Sequence, residues 1–409
     1  MKKYDLIVVG GGISGVAAAV GAKRQGLSVL LIEKSGCLGG AMTGSLVYPF
    51  MPFIVPGKEK KIVSDGIFTE MCNRFETYGE ESWEFYKFVF DDMICESKVE
   101  VLFHSVVFSA ECQDRKINKI YVSASGNVLE FEADFFIDAS GDGELFYIAG
   151  CDYQVGRESD GFCQPMTTCF RICNVDVPLF RKERSALDRL YNEYRKKGLI
   201  KNPRENILVF TGLGDDILHF NTTRVVKLNP VSPFEITQAE IIARKQVLEM
   251  FRFLKENSEA CKNAELISIA NHIGVRESRK LKGEHLLTGE ELKSMVDFED
   301  TIALGCYCID IHNPTGTGTT IHYFNDGEYY KIPYRSLLPK EYDNLLVAGR
   351  CLSADHEAHS AVRIMPTCAT MGEAAGIAIS VAKKTGTNTH TVNIKSVQQT
   401  LKEVGAVID

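Results

Sequence analysis

Residues 4–33 constrain the fold of this chain more than any other segment, because they combine two apolar strands with a glycine-rich turn and a helix of small residues. The first strand, Tyr4–Val9, runs directly into the spacing Gly10-x-Gly12-x-x-Gly15. Gly10 permits a tight turn, Gly12 leaves space for a phosphate beside the backbone, and Gly15 allows the helix to pack closely on the strand. The segment therefore predicts a β–α–β unit with a phosphate-binding loop.

The end of this unit indicates which phosphate ligand it holds. The second strand, Leu27–Ile32, ends at Glu33, where a carboxylate can accept hydrogen bonds from both ribose hydroxyls and repel a 2′-phosphate. The first N–H groups of the helix, at Ile13 and Ser14, would face a pyrophosphate. The glycine spacing alone is weak evidence for a nucleotide site. Inside a strand–turn–helix–strand–Glu unit, however, it predicts that the chain binds an adenine dinucleotide.

The sequence after Glu33 favours FAD over NAD. A second glycine-rich loop, residues 34–43, follows instead of further strand–helix pairs. Later, turn residues at Asp114 and Gly126-Asn127 separate several β-like runs. These runs are Val99–Phe103, Ser105–Ala110, Ile117–Ser123, Val128–Phe131 and Asp134–Asp138. A βαβ unit, a strand, a β-meander and a strand that ends in small residues is the order of FAD domains of the glutathione-reductase type.

The C-terminal third supplies a second helix start. Residues 344–348 have the pattern of a short buried strand that ends in Gly349-Arg350, and Pro366–Ala382 has the pattern of an Ala/Gly-rich helix with proline in its first turn. The positive end of this helix would point at the pyrimidine ring of a flavin, with Arg350 and Arg363 nearby. A helix that only packs on the sheet, with no electrostatic role, is the alternative.

These loops supply the residues that we predict to bind the cofactor. They are Gly10, Gly12, Ile13, Ser14, Gly15, Glu33, Lys34, Gly39, Gly40, Ala41, Met42, Val106, Ala139, Ser140, Gly141, Asp142, Gly349, Arg350, Arg363, Met365, Pro366 and Thr367.

Segments from end to end resemble one family: GGGISGVAAAV, GCLGGAMT, DASGDGELFYIAG, GRESDGFCQPMT, GVRESRKLKGEHLLTGEEL, DIHNPTGTG, IPYRSLLPKEYDNLLVAGRCLSADHEA and RIMPTCATMGEAAG. On these motifs the chain resembles the bacterial FAD-dependent oxidoreductases that are distantly related to fumarate-reductase and heterodisulfide-reductase flavoproteins. The resemblance implies FAD, covalently bound or not, and redox chemistry, but no substrate. The chain lacks the His-Pro-Thr segment of the fumarate-reducing relatives, since Asn313 separates His312 from Pro314.

Composition restricts the partners. A net charge of −8 and a pI near 5.7 give no basic footprint for nucleic acid. No apolar run approaches the roughly 18 residues of a membrane span, and the start of the chain lacks the pattern of a signal peptide, so we expect a cytoplasmic protein. The thirteen cysteines form no Cys-x-x-Cys pair, so we expect free thiols and neither an iron–sulfur cluster nor a structural metal. A reactive role for Cys37, in the second glycine loop, is the less favoured alternative to a structural one.

Residues 156–331 differ in character from the rest, with predicted helices at Arg181–Gly198 and Thr237–Asn257. We predict an α/β fold in which a glutathione-reductase-type FAD-binding Rossmann domain is discontinuous, comprising residues 1–40, 99–155 and 332–409. Residues 41–98 and 156–331 would form an α+β substrate or cap domain. A substrate pocket is expected in the seam between them.

Three residues in that seam are the catalytic candidates. Arg276 and Arg279 would share one face of a helix, if their segment is helical, and could hold a carboxylate or phosphate. An internal salt bridge is an equal alternative for them. His356 follows the strand-end Gly349-Arg350 closely and could take a proton as hydride leaves the substrate, although a structural role is again an equal alternative.

The predicted function is a FAD-dependent oxidoreductase that transfers hydride between flavin and a small polar metabolite. The alternative is a flavin electron-transfer subunit of a larger redox complex without a substrate of its own. No second G-x-G-x-x-G follows a strand, so we expect an unidentified external electron donor or acceptor rather than a built-in NAD(P)H domain. A homo-oligomer is compatible with these sequence features.

Overall fold

The computed structural model describes residues 2–409. Its strands are β1 (Lys3–Val9), β2 (Val29–Ile32), β3 (Ile54–Val55), β4 (Lys61–Ile62), β5 (Glu100–Leu102), β6 (Ser105–Gln113), β7 (Lys116–Ala124), β8 (Asn127–Asp138), β9 (Tyr153–Val155), β10 (Phe170–Cys173), β11 (Val209–Phe210), β12 (Leu218–Phe220), β13 (Glu265–Ile269), β14 (Arg279–Leu281), β15 (Thr301–Gly305), β16 (Ile309–His312), β17 (Thr319–His322), β18 (Tyr330–Pro333) and β19 (Leu345–Val347). Its α-helices are α1 (Ile13–Arg24), α2 (Ile67–Thr77), α3 (Tyr86–Ser97), α4 (Glu144–Ala149), α5 (Val177–Lys196), α6 (Pro233–Asn257), α7 (Gly289–Lys293), α8 (His356–Val362), α9 (Met365–Thr385) and α10 (Ile394–Glu403).

A seven-stranded sheet organises the molecule. Five strands are parallel, in the order β5-β2-β1-β8-β19, and β6 and β7 continue from β8 as an antiparallel meander. The predicted β–α–β unit is confirmed as β1, α1 and β2, although β2 begins at Val29 rather than Leu27. Because parallel strands all end at the same edge, the loops after β1, β2, β8 and β19 meet there.

Strand β8 corrects the prediction of two separate strands. It runs without a break from Asn127 to Asp138 because its two halves have different neighbours. The first half pairs antiparallel with β7, and the second half lies parallel between β1 and β19. The predicted turn is correct, since Ser125 and Gly126 have positive φ angles of 49° and 79°, as a tight hairpin turn requires.

Helices α1 and α9 pack backbone to backbone. A Cβ atom on Gly372 would lie 2.0 Å from the carbonyl oxygen of Ser14, and one on Gly376 would lie 2.3 Å from that of Ala18. Ser14 also donates a hydrogen bond from its hydroxyl to the Cys368 carbonyl at 2.7 Å. Since Ser14 meets Gly372 and Ala18 meets Gly376, both helices run in the same direction, and their N-termini lie at the same edge of the sheet. The predicted C-terminal helix is therefore confirmed, and it begins at Met365.

The middle of the chain forms a second layer with its own core. Strands β11, β12, β10 and β13 make an antiparallel sheet, and a hydrophobic cluster joins it to α5 and α6. The two predicted helices are confirmed but begin earlier. Asp176 caps α5 through a 2.9 Å bond from the Leu179 N–H, and α6 begins at Pro233. Proline is favourable there because the first helical N–H has no partner within the helix.

Helices α2 and α3 pack against the parallel sheet layer. Their buried residues, such as Phe68 and Phe90, belong to the same hydrophobic cluster as β1 and α1. The segment between residues 67 and 97 thus shares a core with the nucleotide-binding unit, whereas we predicted it in the cap; the domain limits themselves stay a prediction. Among residues 2–409 no single helix is long and apolar enough to cross a membrane. The helices α8 and α9 reach that length and apolar character only when they are counted as one segment, and a bend of 92° separates them.

The contact between α1 and α9 gives a testable prediction. Gly372→Ala should lower the free energy of unfolding by about 2 kcal/mol or more, because the added Cβ forces the two backbones apart. Gly21→Ala is the matched control in α1, since its nearest atom outside α1, Ile67 Cδ1, is 3.5 Å away. The control should be neutral or more stable by up to about 1 kcal/mol. Urea unfolding measures both, and equal effects of the two substitutions would contradict the packing argument.

Glu373 gives a second prediction, on pH dependence. It lies on α9, is 2% exposed and accepts a 3.0 Å bond from the Ile67 N–H. Burial raises the pKa of its carboxyl to about 7, so its stabilising effect is present below the unfolded pKa of about 4.3 and is lost as pH rises through 7. Glu373→Gln should therefore be more stable by on the order of 3 kcal/mol at about pH 8 and nearly equal at about pH 4. Thermal unfolding across that range measures it; a pH-independent difference would contradict it.

Candidate functional site

The loop after β1 forms a cradle of backbone. Gly12 is the N-cap of α1 and gives the helix no side-chain cap, so the first N–H groups of α1 stay available for an anion. The Gly39 N–H donates to the Gly11 carbonyl at 2.9 Å, which brings the second glycine loop alongside the first. A Cβ on Gly12 would approach nothing closer than the Gly40 Cα, at 3.9 Å. The cradle is thus open at the position where we expect the pyrophosphate.

Glu33 closes one end of the cradle. Its carboxylate is 7% exposed and accepts hydrogen bonds from the Gly11 N–H at 2.6 Å and from the Ser35 N–H and hydroxyl at 2.7 Å each. Glu33 therefore shapes both loops, and a ribose would share its remaining lone pairs. Val106 lies beyond this end on β6 with 44% exposure, and Lys34 pairs with Glu144 at 2.8 Å.

The loop after β8 is held by a buried carboxyl group, Asp138, and by a partly buried ion pair between Asp142 and Arg350. Asp138 is fully buried and accepts bonds from the Ser140 N–H at 3.0 Å, the Ser140 hydroxyl at 2.6 Å and the Phe146 N–H at 2.9 Å. Asp142 accepts a 2.9 Å bond from Arg350, and Arg350 also donates to Ser278 at 2.9 Å. This ion pair fixes the end of β19 to the end of β8.

The N-terminus of α9 faces the same edge. Ile364 gives no side-chain cap, proline occupies the first turn, and the buried hydroxyl of Thr367 has no hydrogen-bond partner among residues 2–409. A Cβ on Gly349 would lie 2.9 Å from the Ser14 hydroxyl, so the loop after β19 also adjoins the start of α1. Uncapped N–H groups and an unpaired hydroxyl favour a polar group with partial negative charge at this position.

Most of the predicted cofactor-binding residues therefore lie together. They follow β1 (Gly10, Gly12, Ile13, Ser14, Gly15), β2 (Glu33, Lys34, Gly39, Gly40, Ala41, Met42), β8 (Ala139, Ser140, Gly141, Asp142) and β19 (Gly349, Arg350), or precede or begin α9 (Arg363, Met365, Pro366, Thr367). Their contacts with a bound cofactor stay a prediction. The Ser14 hydroxyl is occupied by Cys368, so its backbone N–H is the group available to a phosphate.

The prediction of a shared helix face for Arg276 and Arg279 is wrong. Residues 274–278 form no helix, and Arg279 begins β14. The Arg279 guanidinium lies 4.0 Å above the Tyr147 ring and donates to the Asp142 carbonyl, so it has a structural partner. An extended backbone turns residues three apart to opposite sides, which separates the two guanidiniums.

Arg276 points into the seam between the two layers. Its guanidinium donates to the Pro165 carbonyl and the Thr167 hydroxyl at 2.6 Å each. Burial, with a further effect of the Arg363 charge, lowers its pKa to about 9. It is thus a cation held in a site that disfavours positive charge.

His356 and Glu277 form a buried pair. Glu277 is fully buried, and its Oε2 lies 2.8 Å from His356 Nδ1. Glu277 also pairs with Lys280 and accepts a 3.0 Å bond from the Gln164 N–H. Burial would raise the pKa of Glu277, but the His356 hydrogen bond and the Lys280 charge lower it well below its usual range. The anionic carboxylate therefore holds the proton of His356 on Nδ1, and Nε2 has no partner among residues 2–409.

A second polar chain lies beside this pair and was only partly predicted. Tyr307 donates to Asp310 at 2.8 Å, and Asp310 lies 3.3 Å from His312 Nε2. Burial lowers the pKa of His312 to about 3. From the sequence, we named His312 only for its spacing from Pro314 and assigned no catalytic or positioning role to Asp310 or Glu277. The Asp-x-His spacing on β16 was an available signal, because alternate residues of a strand share one face.

Residues 5–401 match the family described as FAD-dependent oxidoreductases. The chain belongs to this family. It is an enzyme and its cofactor is FAD. A search of curated proteins finds no match.

Solved structures of other flavoproteins have a similar shape. They include a geranylgeranyl bacteriochlorophyll reductase-like protein from Thermoplasma acidophilum (14% identity, 99% of this chain and 83% of that chain, TM-score 0.49). Two others are the anhydrotetracycline hydroxylase OxyS from Streptomyces rimosus (11%, 100% and 67%, 0.48) and the p-nitrophenol 4-monooxygenase PnpA from Pseudomonas putida (10%, 98% and 84%, 0.47). Because the identities and TM-scores are low, these likenesses carry no argument about substrate.

The site of this FAD-dependent oxidoreductase fits its cofactor on three observations. The cradle at Gly12 is open, the carboxylate of Glu33 stands at its ribose end, and the unpaired hydroxyl of Thr367 stands at its flavin end. The pyrophosphate would lie over the start of α1, and the flavin near the start of α9.

The open cradle gives a third prediction. Gly12→Ala should leave the stability of the FAD-free protein unchanged but weaken FAD binding about tenfold or more, because the new Cβ occupies space meant for a phosphate. Gly10→Ala is the contrasting variant: its Cβ would lie 2.5 Å from the Ala139 carbonyl at a φ of +101°, so it should destabilise the fold itself. Calorimetry of FAD binding and thermal unfolding of both variants test this; normal FAD affinity in Gly12→Ala would contradict it.

Proposed function

We propose that this FAD-dependent oxidoreductase transfers hydride between its flavin and a small polar metabolite, with His356 moving the accompanying proton. One observation carries the proposal: His356 Nδ1 is bound to the buried carboxylate of Glu277, while Nε2 is unpartnered. A neutral imidazole with a free Nε2 can accept a proton from a hydroxyl or amine when the adjacent carbon loses hydride. In the reverse direction the imidazolium returns that proton.

FAD, His356, Glu277 and Lys280 would have different roles in this reaction, and the contacts of the three residues indicate which role each has. FAD supplies the hydride or electron chemistry when it is bound. Glu277 fixes the tautomer and direction of the His356 ring and stabilises the imidazolium after proton transfer. Lys280 keeps Glu277 anionic in a site without solvent contact, since its ammonium pairs with the carboxylate. Glu277 and Lys280 are therefore positioning residues, and His356 is the catalytic residue.

We assign the parallel sheet to a glutathione-reductase-type FAD domain and the β10–β13 layer to a cap. Support comes from the βαβ unit, the meander β6–β7–β8 and the return strand β19. The hydrogen bonds of Arg276 to Pro165 and Thr167, which precede β10 in the chain, support this assignment. A small ligand in this seam would touch both layers.

The partners and location are part of the proposal too. We assign a small-molecule substrate, an external electron donor or acceptor and a cytoplasmic setting. The net charge of −8 supports the assignment of no nucleic-acid partner. The second candidate, an electron-transfer subunit without a substrate, gives a different result in one experiment. Anaerobic incubation with a panel of alcohols, amines and hydroxy acids should bleach the flavin absorbance if the chain has its own substrate.

The fourth prediction tests the base. With a metabolite found in that panel, His356→Gln should slow flavin reduction about 10²–10⁴-fold, because glutamine can keep the bond to Glu277 but cannot accept a proton. His322→Gln is the control, since His322 is exposed on β17. FAD content and melting temperature should stay at wild-type values in both variants. Stopped-flow bleaching measures the rate, and an unchanged rate in His356→Gln would refute the role of His356.

A further inference from the structure

Four arginines from distant segments converge beside the His356–Glu277 pair. They are Arg204, Arg224, Arg276 and Arg363. Arg224 bonds to His312 at 3.1 Å, and Asp310 on the same strand donates its N–H to Ser360 of α8 at 3.1 Å. Arg276 donates to the Thr167 hydroxyl, which donates at 3.0 Å to the carbonyl of Thr223, the chain neighbour of Arg224.

Arg204, Arg224 and Arg363 all depress the pKa of the Arg276 guanidinium through their charge. Asp310 and Glu205 are the carboxylates whose charges act most strongly on these arginines, and burial lowers the pKa of His312 to about 3, which leaves that ring neutral. The cluster therefore holds two more positive than negative charges in a largely buried place.

The hydrogen bonds separate these arginines into two kinds. Arg224 is 1% exposed, and it bonds to Glu205 at 3.2 Å, to His312 at 3.1 Å and to the Gly316 and Gly318 carbonyls. Arg224 is thus fully engaged by the fold and serves as a structural cation.

Arg363 and Arg204 keep donors unpaired. Arg363 has no hydrogen-bond partner among residues 2–409; its Nε is inaccessible, whereas its two Nη atoms reach accessible space. Arg204 is 6% exposed and bonds only through Nε, to Asn206 at 3.0 Å. Buried guanidinium N–H groups almost always have acceptors. The Nη groups of Arg204 and Arg363 are not among the inaccessible atoms and have no partner among residues 2–409, so they are available to an acceptor from solution, in addition to the predicted contact of Arg363 with FAD.

The position of this cluster links it to the proposed chemistry. His356 and Arg363 lie seven residues apart along α8 and its C-cap, which places them on one helix face about 10 Å apart along the axis. Arg276 is the chain neighbour of Glu277. The helix α9 begins directly after Arg363, at the flavin end of the cofactor site. A ligand on these arginines would thus lie between the base and the flavin.

We propose that Arg204, Arg276 and Arg363 bind a small dianion, and that this anion is the substrate. A dicarboxylate fits better than a phosphate ester, because the donors come from three separate elements and not from one loop of backbone N–H groups. The assignment as substrate rests on the proposed function, whereas anion binding at the arginines does not. Two negative charges would balance the excess positive charge and fill the unpaired donors of Arg363 and Arg204.

The test measures binding by calorimetry on the FAD-loaded protein with three probes: malonate, inorganic phosphate and the neutral malonamide. Malonate should bind, phosphate should bind more weakly and malonamide should not bind. Arg363→Gln and Arg204→Gln should each weaken malonate binding about tenfold or more. Arg115→Gln is the control, since Arg115 lies in the turn between β6 and β7, pairs with Asp343 and has 53% of its side chain exposed, and it should bind malonate as the wild type does.

Melting temperatures give a second readout. Without an anion, Arg363→Gln should melt at or above the wild-type temperature, because one of four repelling charges is gone. Malonate should raise the melting temperature of the wild type but not that of Arg363→Gln. A variant that retains FAD and melts normally rules out misfolding as the cause of lost binding.

Three results would overturn the assignment: no binding of malonate to the wild type, equal binding to all variants, or tighter binding of phosphate than of malonate. The proposed function fails separately. If malonate binds at the arginines but no dicarboxylate or other metabolite bleaches the flavin, the hydride-transfer proposal fails while the anion site stands. His356→Gln should keep wild-type affinity for malonate, because the ring is not among the donors.

Discussion

The backbone contact between α1 and α9 is the constraint on which the rest of the site depends. Because no side chains separate Ser14 from Gly372, the two helices start at one edge of the sheet, close together and in the same direction. Each start lacks a side-chain cap. Two uncapped helix starts then offer partial positive charge to the two ends of one elongated cofactor, the diphosphate at α1 and the flavin at α9. A larger residue at Gly372 or Gly376 would move the N-terminus of α9 away from that of α1.

Charge is distributed unevenly around this frame. Close to the sheet, opposite charges are paired one to one in the Asp142–Arg350 and Glu277–Lys280 pairs. In the seam the balance changes, since arginines outnumber carboxylates there. A buried ion pair holds its loops in place, whereas an excess of one sign destabilises the empty site and is relieved by a ligand of the opposite sign. The first arrangement suits a cofactor frame, and the second suits the exchange of small anions.

The sequence predicted the parts whose signals are local. The β1–α1–β2 unit, the Gly126 turn and the α9 helix each follow from the spacing of glycine, proline and apolar residues within about thirty positions. The site in the seam was predicted poorly, because its members lie far apart in the chain: Arg204 and Arg363 approach only through the tertiary fold. The shared face assumed for Arg276 and Arg279 failed for a local reason, since nothing in their segment marks a helix start. Glu277 was considered only as a salt-bridge partner of the neighbouring arginines, because nothing in the local sequence indicates its contact with His356, 79 residues later.

The double pairing of β8 has a consequence for how the chain folds. Its first half meets β7 across a two-residue turn, so a hairpin can form as soon as residues 116–138 exist. Its second half needs β1, more than a hundred residues earlier, and β19, about two hundred residues later. During synthesis the nascent sheet therefore waits with one edge of β8 unpaired until Leu345–Val347 arrives. Such late closure slows folding and exposes a strand edge to other chains.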